Sequence, residues 1–126
     1  MNAPIPVAKN TGIKRLFKAT GYSIKGLSYA FRNEAAFRQE SLAAVVLIPL
    51  ALWLDVSTAE RVLLVMSVVL MLVMELLNTA IEAVVDRAGS EYHLLAGVAK
   101  DTGSAAVFLS VLFCIFVWVA VLVTLF

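Results

Sequence analysis

The sequence predicts an all-α membrane protein, built as one domain over residues 1–126 from an N-terminal amphipathic surface helix and three transmembrane helices. Hydrophobic residues make up 62% of the chain, more than a soluble protein of 126 residues can bury in its own core. Nine of the ten Lys and Arg residues fall in segments that we assign to one side of the membrane, with Arg61 the exception. The stretch 105–126 contains no charged residue and is the clearest transmembrane signal.

The N-terminal part of the chain is expected outside the hydrocarbon core. Residues 1–11 include Pro4 and Pro6 and predict a loose tail. Over residues 12–32, apolar side chains recur at helical spacing, whereas the Lys and Arg side chains occupy a separate flank of the same helix. This pattern is typical of a helix that lies on a membrane surface, with its cations on anionic lipid headgroups.

Three segments have the length and composition of membrane spans: 33–54, 62–86 and 103–126. In the first, the uninterrupted apolar run 42–54 covers only about 20 Å as a helix, so the span must begin near Asn33 or Glu34. Pro49 predicts a kink in this span. Trp53 suits the outer membrane interface, where indole rings concentrate.

The connections between the spans predict the orientation of the chain. Residues 55–60 form a polar turn, and residues 91–101 form a polar connection. Because basic residues concentrate in cytoplasmic segments, the N-terminus and the loop 86–102 are expected in the cytoplasm and the C-terminus outside. We therefore expect a multi-pass protein of the cell inner membrane.

The stretch 75–86 is the chemical centre of the sequence. Its polar side chains share one face of a helix: Glu75, Asn78, Thr79, Glu82 and Asp86. An ionisable side chain near the centre of a membrane helix costs about 2.5–3.5 kcal/mol, so these carboxylates must face protein, water or a metal. The alternative is a polar seam that only joins helices, but such seams usually contain Ser, Thr, Asn or Gln rather than several carboxylates.

Carboxylates of the first two spans fall at matched depths. Glu34 and Glu82 lie 24 residues on either side of Thr58, in the turn that joins the spans, and Glu40 and Glu75 lie 18 and 17 residues from it. Paired carboxylates at one depth repel unless they are protonated or share a cation, and hard divalent cations take such oxygen ligands. Mg²⁺ usually takes one or two carboxylates and completes its shell with phosphate oxygens and water.

The pattern therefore indicates phosphate chemistry near the cytoplasmic surface. Lys100, Asp101 and Ser104, at the start of the third span, return the chain to the depth of the carboxylates. The usual glycine-rich phosphate-binding motifs are absent from the sequence, so a nucleotide site must be assembled from helix ends and carboxylates. His93 alone is more often a solvated loop residue than a general base. Cys114, the single cysteine, is apolar filler rather than a metal ligand.

Four segments of the chain resemble the small integral-membrane diacylglycerol kinases of Gram-negative bacteria. The segments are NEAAFRQE (33–40), WLDV (53–56), ELLNTAIEAVVDRAGSEYH (75–93) and AKDTGSAAV (99–107). The resemblance implies a homotrimer in which each protomer has a surface helix and three transmembrane helices. It also implies an ATP-dependent kinase that uses Mg²⁺ to phosphorylate diacylglycerol, giving phosphatidic acid. The bilayer, the lipid substrate, ATP and further copies of the chain are the implied partners, and no nucleic acid is expected.

The resemblance also implies roles for individual residues. Glu75 matches the general base of the family, and Glu34 and Glu82 match its metal-binding carboxylates. The catalytic set is Glu75, Asn78, Lys100 and Asp101. Nucleotide contacts are implied for Arg15, Tyr22, Glu34, Glu82, Asp86, Glu91, Tyr92, His93, Lys100 and Asp101. Lipid contacts are implied for Ser23, Phe37, Arg38, Gln39, Trp53, Arg61, Glu75 and Ser104.

Alternative interpretations remain at this stage. Arg15 and Tyr22 suit snorkelling residues of the interface as well as ligand contacts. Leu94 and Val98 stand where relatives can carry polar residues, which leaves the purine contacts open. A related kinase could act on a polyprenol such as undecaprenol, and a small proton-coupled transporter could use Glu75 as its proton carrier. The cytoplasmic cluster of carboxylates and Lys100 favours a kinase, because a transporter has no use for it.

Overall fold

The computed structural model describes residues 4, 11–89 and 93–126, and these residues form four α-helices. The helices are α1 (Gly12–Asn33), α2 (Ala35–Trp53), α3 (Thr58–Arg87) and α4 (Leu94–Leu125). The last three are long and apolar enough to cross a membrane. The predicted fold class, one N-terminal helix followed by three apolar helices that can span a membrane, is confirmed.

Helix α3 is the centre of the bundle. It packs along both α2 and α4, whereas the backbones of α2 and α4 do not approach each other closely within the described part of the chain. The buried core lies in the half of the bundle near the α2–α3 turn and includes Ala51, Leu64, Val68, Val117 and Trp118. Cys114 is buried in the same core, where its Sγ atom lies 3.6 Å from Ser67 Oγ.

The α2–α3 turn is held by one cap and one arginine. Ser57 caps α3, because its Oγ accepts the backbone N–H of Glu60 at 3.2 Å. Arg61, in the first turns of α3, reaches back to the end of α2. Its guanidinium donates to the carbonyl oxygens of Leu52, of Leu54 at 3.2 Å and of Val56 at 3.3 Å. Leu52 lies in the last turn of α2, whereas Leu54 and Val56 belong to the turn, where the Leu54 carbonyl also accepts the N–H of Val56 at 3.0 Å. The single arginine side chain therefore joins the end of α2 to the turn.

The α1–α2 junction uses the same device. Glu34 has extended backbone angles and separates the two helices. The guanidinium of Arg38 donates at 3.0 Å to the carbonyl oxygens of Phe31 and Arg32, which lie in the last turn of α1. Ala30 is the only buried residue of α1, and its large apolar side chains are exposed in the protomer. Helix α1 therefore presents an apolar face that a membrane can cover.

Helix α4 begins earlier than the sequence indicates. Residues 91–101 were expected to form a polar connection, but the chain is helical from Leu94 onward. The imidazole Nδ1 of His93 accepts the N–H of Leu95 at 3.1 Å and caps the helix, which explains why it can start in a polar segment. Pro49 lies inside α2, which nevertheless continues to Trp53. The limits of the membrane spans themselves remain a prediction.

Candidate functional site

The polar face of α3 contains Glu75, the most deeply buried acid among the described residues. The exposed fraction of Glu75 is 5% and that of Thr79 is 7%, whereas Asn78 and Glu82 are half-buried and Asp86 is exposed. Burial therefore decreases along this face toward the C-terminal end of the helix. A carboxylate as buried as Glu75 requires a partner or a function, because burial of an unpaired charge is costly.

Three chain segments place carboxylates around Glu75. Glu34 comes from the α1–α2 junction, Glu40 from α2, and Glu82 from two turns further along α3. Glu34 and Glu82 lie within electrostatic range of Glu75, and so does Glu40. The structure thus brings together the four acids that the depth count had paired. One oxygen of Glu40, Oε2, is buried with no hydrogen-bond partner in the described part of the protein.

This group of acids fits a magnesium ion that is shared with a phosphate. Residues 11–89 and 93–126 contain no group of three His, Cys, Asp or Glu side chains able to hold a metal on their own. Mg²⁺ does not need such a cage, since one or two carboxylates with phosphate oxygens and water complete its shell. Glu34 and Glu82 are half-buried, and each lies within electrostatic range of Glu75, so their carboxylate oxygens have the chemistry that such a shell requires.

Asn78 links the acids to α4. Its Nδ2 donates to Glu82 Oε1 at 3.3 Å, while its Oδ1 is buried with no partner in the described residues. The Oδ1 atom lies against Gly103, one of the buried residues of α4. Sequence reasoning missed Gly103, because a glycine within a helical pattern does not by itself reveal a close approach between two helices.

Lys100 supplies positive charge beside the C-terminal end of α3. Its Nζ lies 2.7 Å from Asp86 Oδ1, which joins the start of α4 to the end of α3. It is also within electrostatic range of Glu82. Asp101 and Ser104, which the sequence placed at the same level, are exposed on α4. The cation and the acids therefore line one side of the α3–α4 pair.

Comparisons with known proteins agree on one family. Residues 21–122 match the family described as prokaryotic diacylglycerol kinase. The diacylglycerol kinase of Escherichia coli K12 is 56% identical over 108 residues, which cover 86% of this chain and 88% of the relative. The Pseudomonas aeruginosa relative of the same name is 51% identical over 95% of this chain and 98% of its own length. The chain belongs to the prokaryotic diacylglycerol kinase family. The Helicobacter pylori J99 relative, at 43% identity over 94% of this chain and 92% of its own, shows the breadth of that similarity.

The nucleotide contacts predicted for this kinase are spread over α1, the α1–α2 junction, α3 and the start of α4. Arg15 and Tyr22 are exposed on α1. His93 is exposed and caps α4 through Nδ1. Glu91 and Tyr92 lie outside the described residues. The structure therefore leaves Arg15, Tyr22 and His93 accessible to a nucleotide or a membrane surface, and the role of all five residues stays a prediction.

The lipid contacts predicted for the kinase fall into separate regions. Ser23 lines a largely apolar groove of about 480 Å³ between α1 and α3, together with Tyr29 and Thr79. Phe37 is buried and lines a second groove beside α1. Both grooves open near the acids, and their apolar walls suit an acyl chain.

The remaining predicted lipid contacts have other positions. Gln39 is exposed, whereas Arg38 is engaged with the end of α1. Trp53 has an exposed fraction of 81%, and it lies with Arg61 at the far end of α2. At 1.5 Å per residue, that end is about 28 Å from Glu34. Trp53 and Arg61 are therefore too far from the acids to touch a reacting hydroxyl.

Proposed function

We propose that this kinase transfers the γ-phosphate of MgATP to the free hydroxyl of diacylglycerol and releases phosphatidic acid and ADP. The observation that carries the proposal is the position of Glu75, an almost fully buried acid with Glu34 and Glu82 around it. The substrate follows from the relatives in Escherichia coli and Pseudomonas aeruginosa, which are named diacylglycerol kinases. Both relatives match over most of their length, which supports the same reaction here.

Glu75 acts in this proposal as the general base. It lies between the apolar half of the bundle and the polar cytoplasmic end, which is where a lipid hydroxyl and a phosphate can meet. An ionised carboxylate only accepts hydrogen bonds, so it orients the hydroxyl and takes its proton as the oxygen attacks the γ-phosphorus. The bond from the γ-phosphorus to the bridging oxygen breaks, and ADP carries the released electron pair.

Glu34 and Glu82 hold Mg²⁺ in this scheme. When it is bound, the metal offsets the charge of the phosphate oxygens and fixes their orientation. Asn78 positions Glu82 through its 3.3 Å hydrogen bond. Lys100, now paired with Asp86, supplies a cation that can turn to a phosphate oxygen, and Asp101 lies beside it. Catalysis then consists of positioning and charge neutralisation.

Assembly and location belong to the same proposal. The site is open on one side, since three membrane helices cannot enclose a lipid and a nucleotide, and we propose that neighbouring protomers of a homotrimer complete it. In this proposal the protein lies in the inner membrane with its N-terminus in the cytoplasm. It then takes diacylglycerol from the membrane and ATP from the cytoplasm. The basic residues near the N-terminus and in the loop 86–102 support this orientation.

A phosphate-transfer assay tests the proposed function directly. Purified protein in lipid vesicles receives ATP labelled in the γ-phosphate, with diacylglycerol and undecaprenol presented separately. We expect labelled phosphatidic acid and no labelled undecaprenyl phosphate, and no product from the matched variant Glu75→Gln. Transfer to undecaprenol alone would show that the lipid substrate is a polyprenol, while the type of reaction would stay as proposed. Transfer to neither lipid would contradict the proposal.

A further inference from the structure

We infer that Gly103 is a positioning residue of this site: the close approach of α4 at Gly103 holds the Asn78 amide against Glu82 and so orients a metal-binding carboxylate. The inference rests on the proposed function for the role of Glu82. It adds a residue that the sequence motifs and the family resemblance did not assign. It concerns the contact between α3 and α4, which is the most extensive helix pair in the described structure.

The space at Gly103 is occupied by Asn78. A β-carbon built on Gly103 would lie 2.5 Å from Asn78 Oδ1 and 3.5 Å from Ile81 Cδ1. Real β-carbons essentially never come within 3.0 Å of another heavy atom. The Oδ1 atom therefore fills the volume that any other residue at position 103 would need. The backbone φ of Gly103 is ordinary, so its conformation does not require glycine. Glycine is needed here only to leave space for Asn78 in this position.

The amide can adopt only one useful orientation at this contact. Glu82 Oε1 accepts from Nδ2 at 3.3 Å, and an ionised carboxylate has no hydrogen to give. If the amide were flipped, Oδ1 would face the oxygen of Glu82, and the two acceptors would repel. The backbone of α4 at Gly103 therefore supports the orientation in which Asn78 donates to Glu82.

A methyl group at position 103 would displace the amide rather than the helices. The clashing atom is the end of a side chain, which can rotate away at little cost to the fold. The hydrogen bond to Glu82 is already near the long limit of such bonds, so a small rotation breaks it. Loss of a group that orients a metal ligand typically weakens metal binding 10–100-fold. Gly103→Ala should therefore impair the metal site while the protein stays assembled.

Gly97 provides a matched control on the same helix. A β-carbon built on Gly97 meets no atom within 4 Å, so Gly97→Ala adds the same methyl group without a clash. Both substitutions should have similar effects on helix propensity. Any difference between the two variants then reports on the contact with Asn78.

The test combines metal binding with turnover. Mn²⁺, which takes the same oxygen ligands as Mg²⁺, is titrated with a non-hydrolysable ATP analogue and followed by electron paramagnetic resonance. We expect Gly103→Ala to weaken Mn²⁺ binding about tenfold or more and to raise the half-saturating Mg²⁺ concentration of phosphate transfer by a similar factor. Gly97→Ala should match the unmodified protein in both measurements. Wild-type Mn²⁺ affinity in Gly103→Ala, or an equal loss in Gly97→Ala, would overturn the inference.

A double-mutant cycle identifies Asn78 as the intermediary. Asn78→Ala should weaken Mn²⁺ binding about as much as Gly103→Ala, and the double variant should be no weaker than either single variant. Additive losses, or wild-type Mn²⁺ binding in Asn78→Ala, would overturn the inference even if Gly103→Ala failed to assemble. Mn²⁺ binding is measured without a lipid substrate, so absence of phosphate transfer in the unmodified protein would contradict the proposed function and leave this test intact.

Discussion

Individual acids on α3 occupy very different surroundings, and this difference separates their roles. Glu75 is almost fully buried, Glu82 is half-buried and hydrogen-bonded to Asn78, and Asp86 is exposed and paired with Lys100. In the proposed reaction, a lipid hydroxyl approaches from the apolar side and a phosphate from the aqueous side. The most buried acid is therefore suited to the hydroxyl, and the more exposed acids to a metal and a nucleotide.

Replacement of Glu75 tests the general base. Glu75→Gln keeps the size of the side chain but removes its basic oxygen, so phosphate transfer should fall by at least about 10²–10⁴-fold, the usual contribution of a general base. Binding of MgATP and thermal stability should stay close to those of the unmodified protein. The control is Glu60→Gln, which changes an acid at the other end of α3. Near-normal transfer by Glu75→Gln would exclude the proposed role.

Replacement of Glu34 or Glu82 tests the metal ligands. Glu34→Gln and Glu82→Gln each remove one negative charge from the group of acids, so the Mg²⁺ concentration needed for half-maximal transfer should rise about 10-fold or more. The proteins should remain folded, because an amide can still hydrogen-bond at a half-buried position. Asp55→Asn, on an exposed residue beyond α2, is the control. Unchanged Mg²⁺ dependence in both variants would contradict the assignment.

The sequence predicted the acids of the candidate site better than it predicted the residues that position them. Helical spacing and the count from Thr58 placed Glu34, Glu40 and Glu82 at the level of Glu75, and the structure has all three within electrostatic range of it. Their roles stay predictions. The contact of Gly103 with Asn78 depends on the rotation of α4 about its axis, which no count along the chain provides. The use of Arg38 as a helix cap was also unpredictable, since its donors find their carbonyls only after the chain turns at Glu34.

At the scale of the helices, arginine side chains cap the C-terminal ends of α1 and α2. Arg38 bonds the end of α1, and Arg61 bonds the end of α2. The C-terminal end of a helix carries partial negative charge, so a cation there is stabilised by the helix dipole as well as by hydrogen bonds. The start of α4 is not evident from the sequence, because His93 lies in a polar segment and caps the helix only through the hydrogen bond that its Nδ1 accepts from the Leu95 N–H.

The cap at the α2–α3 turn leads to a prediction about Arg61. Arg61→Met should lower the free energy of unfolding by about 1–3 kcal/mol, because it leaves several carbonyl oxygens without a donor. Arg61→Lys should recover only part of the loss, since an ammonium cannot reach carbonyls as a planar fork does. Unfolding in detergent and phosphate-transfer kinetics, with Lys18→Met as an exposed control, distinguish the roles. A raised KM for diacylglycerol with unchanged stability would instead support the predicted lipid contact.

At the scale of the whole molecule, the surface of the protomer is unusually apolar. Large apolar side chains are exposed along all four helices of the described chain, including Phe17, Leu42, Leu63 and Phe116. A soluble protein with such a surface would aggregate, whereas a bilayer and neighbouring protomers can cover it. The buried core lies toward the α2–α3 turn, and the polar candidate site lies at the opposite end. The buried core and the group of acids therefore occupy different halves of the bundle.

The orientation of the whole chain in the membrane is the last prediction. The Lys and Arg residues all fall in segments assigned to the cytoplasm except Arg61, whose charge is engaged by the carbonyls of α2. Arg61 therefore stabilises the turn and can lie on the other side of the membrane. The remaining basic residues set the orientation. Fused green fluorescent protein should fluoresce at the N-terminus, and fused alkaline phosphatase should be active at the C-terminus. The variant Arg61→Met should give the same result. Both ends reporting from one side would contradict the three-span topology, and inversion by Arg61→Met would show that this cation determines the orientation.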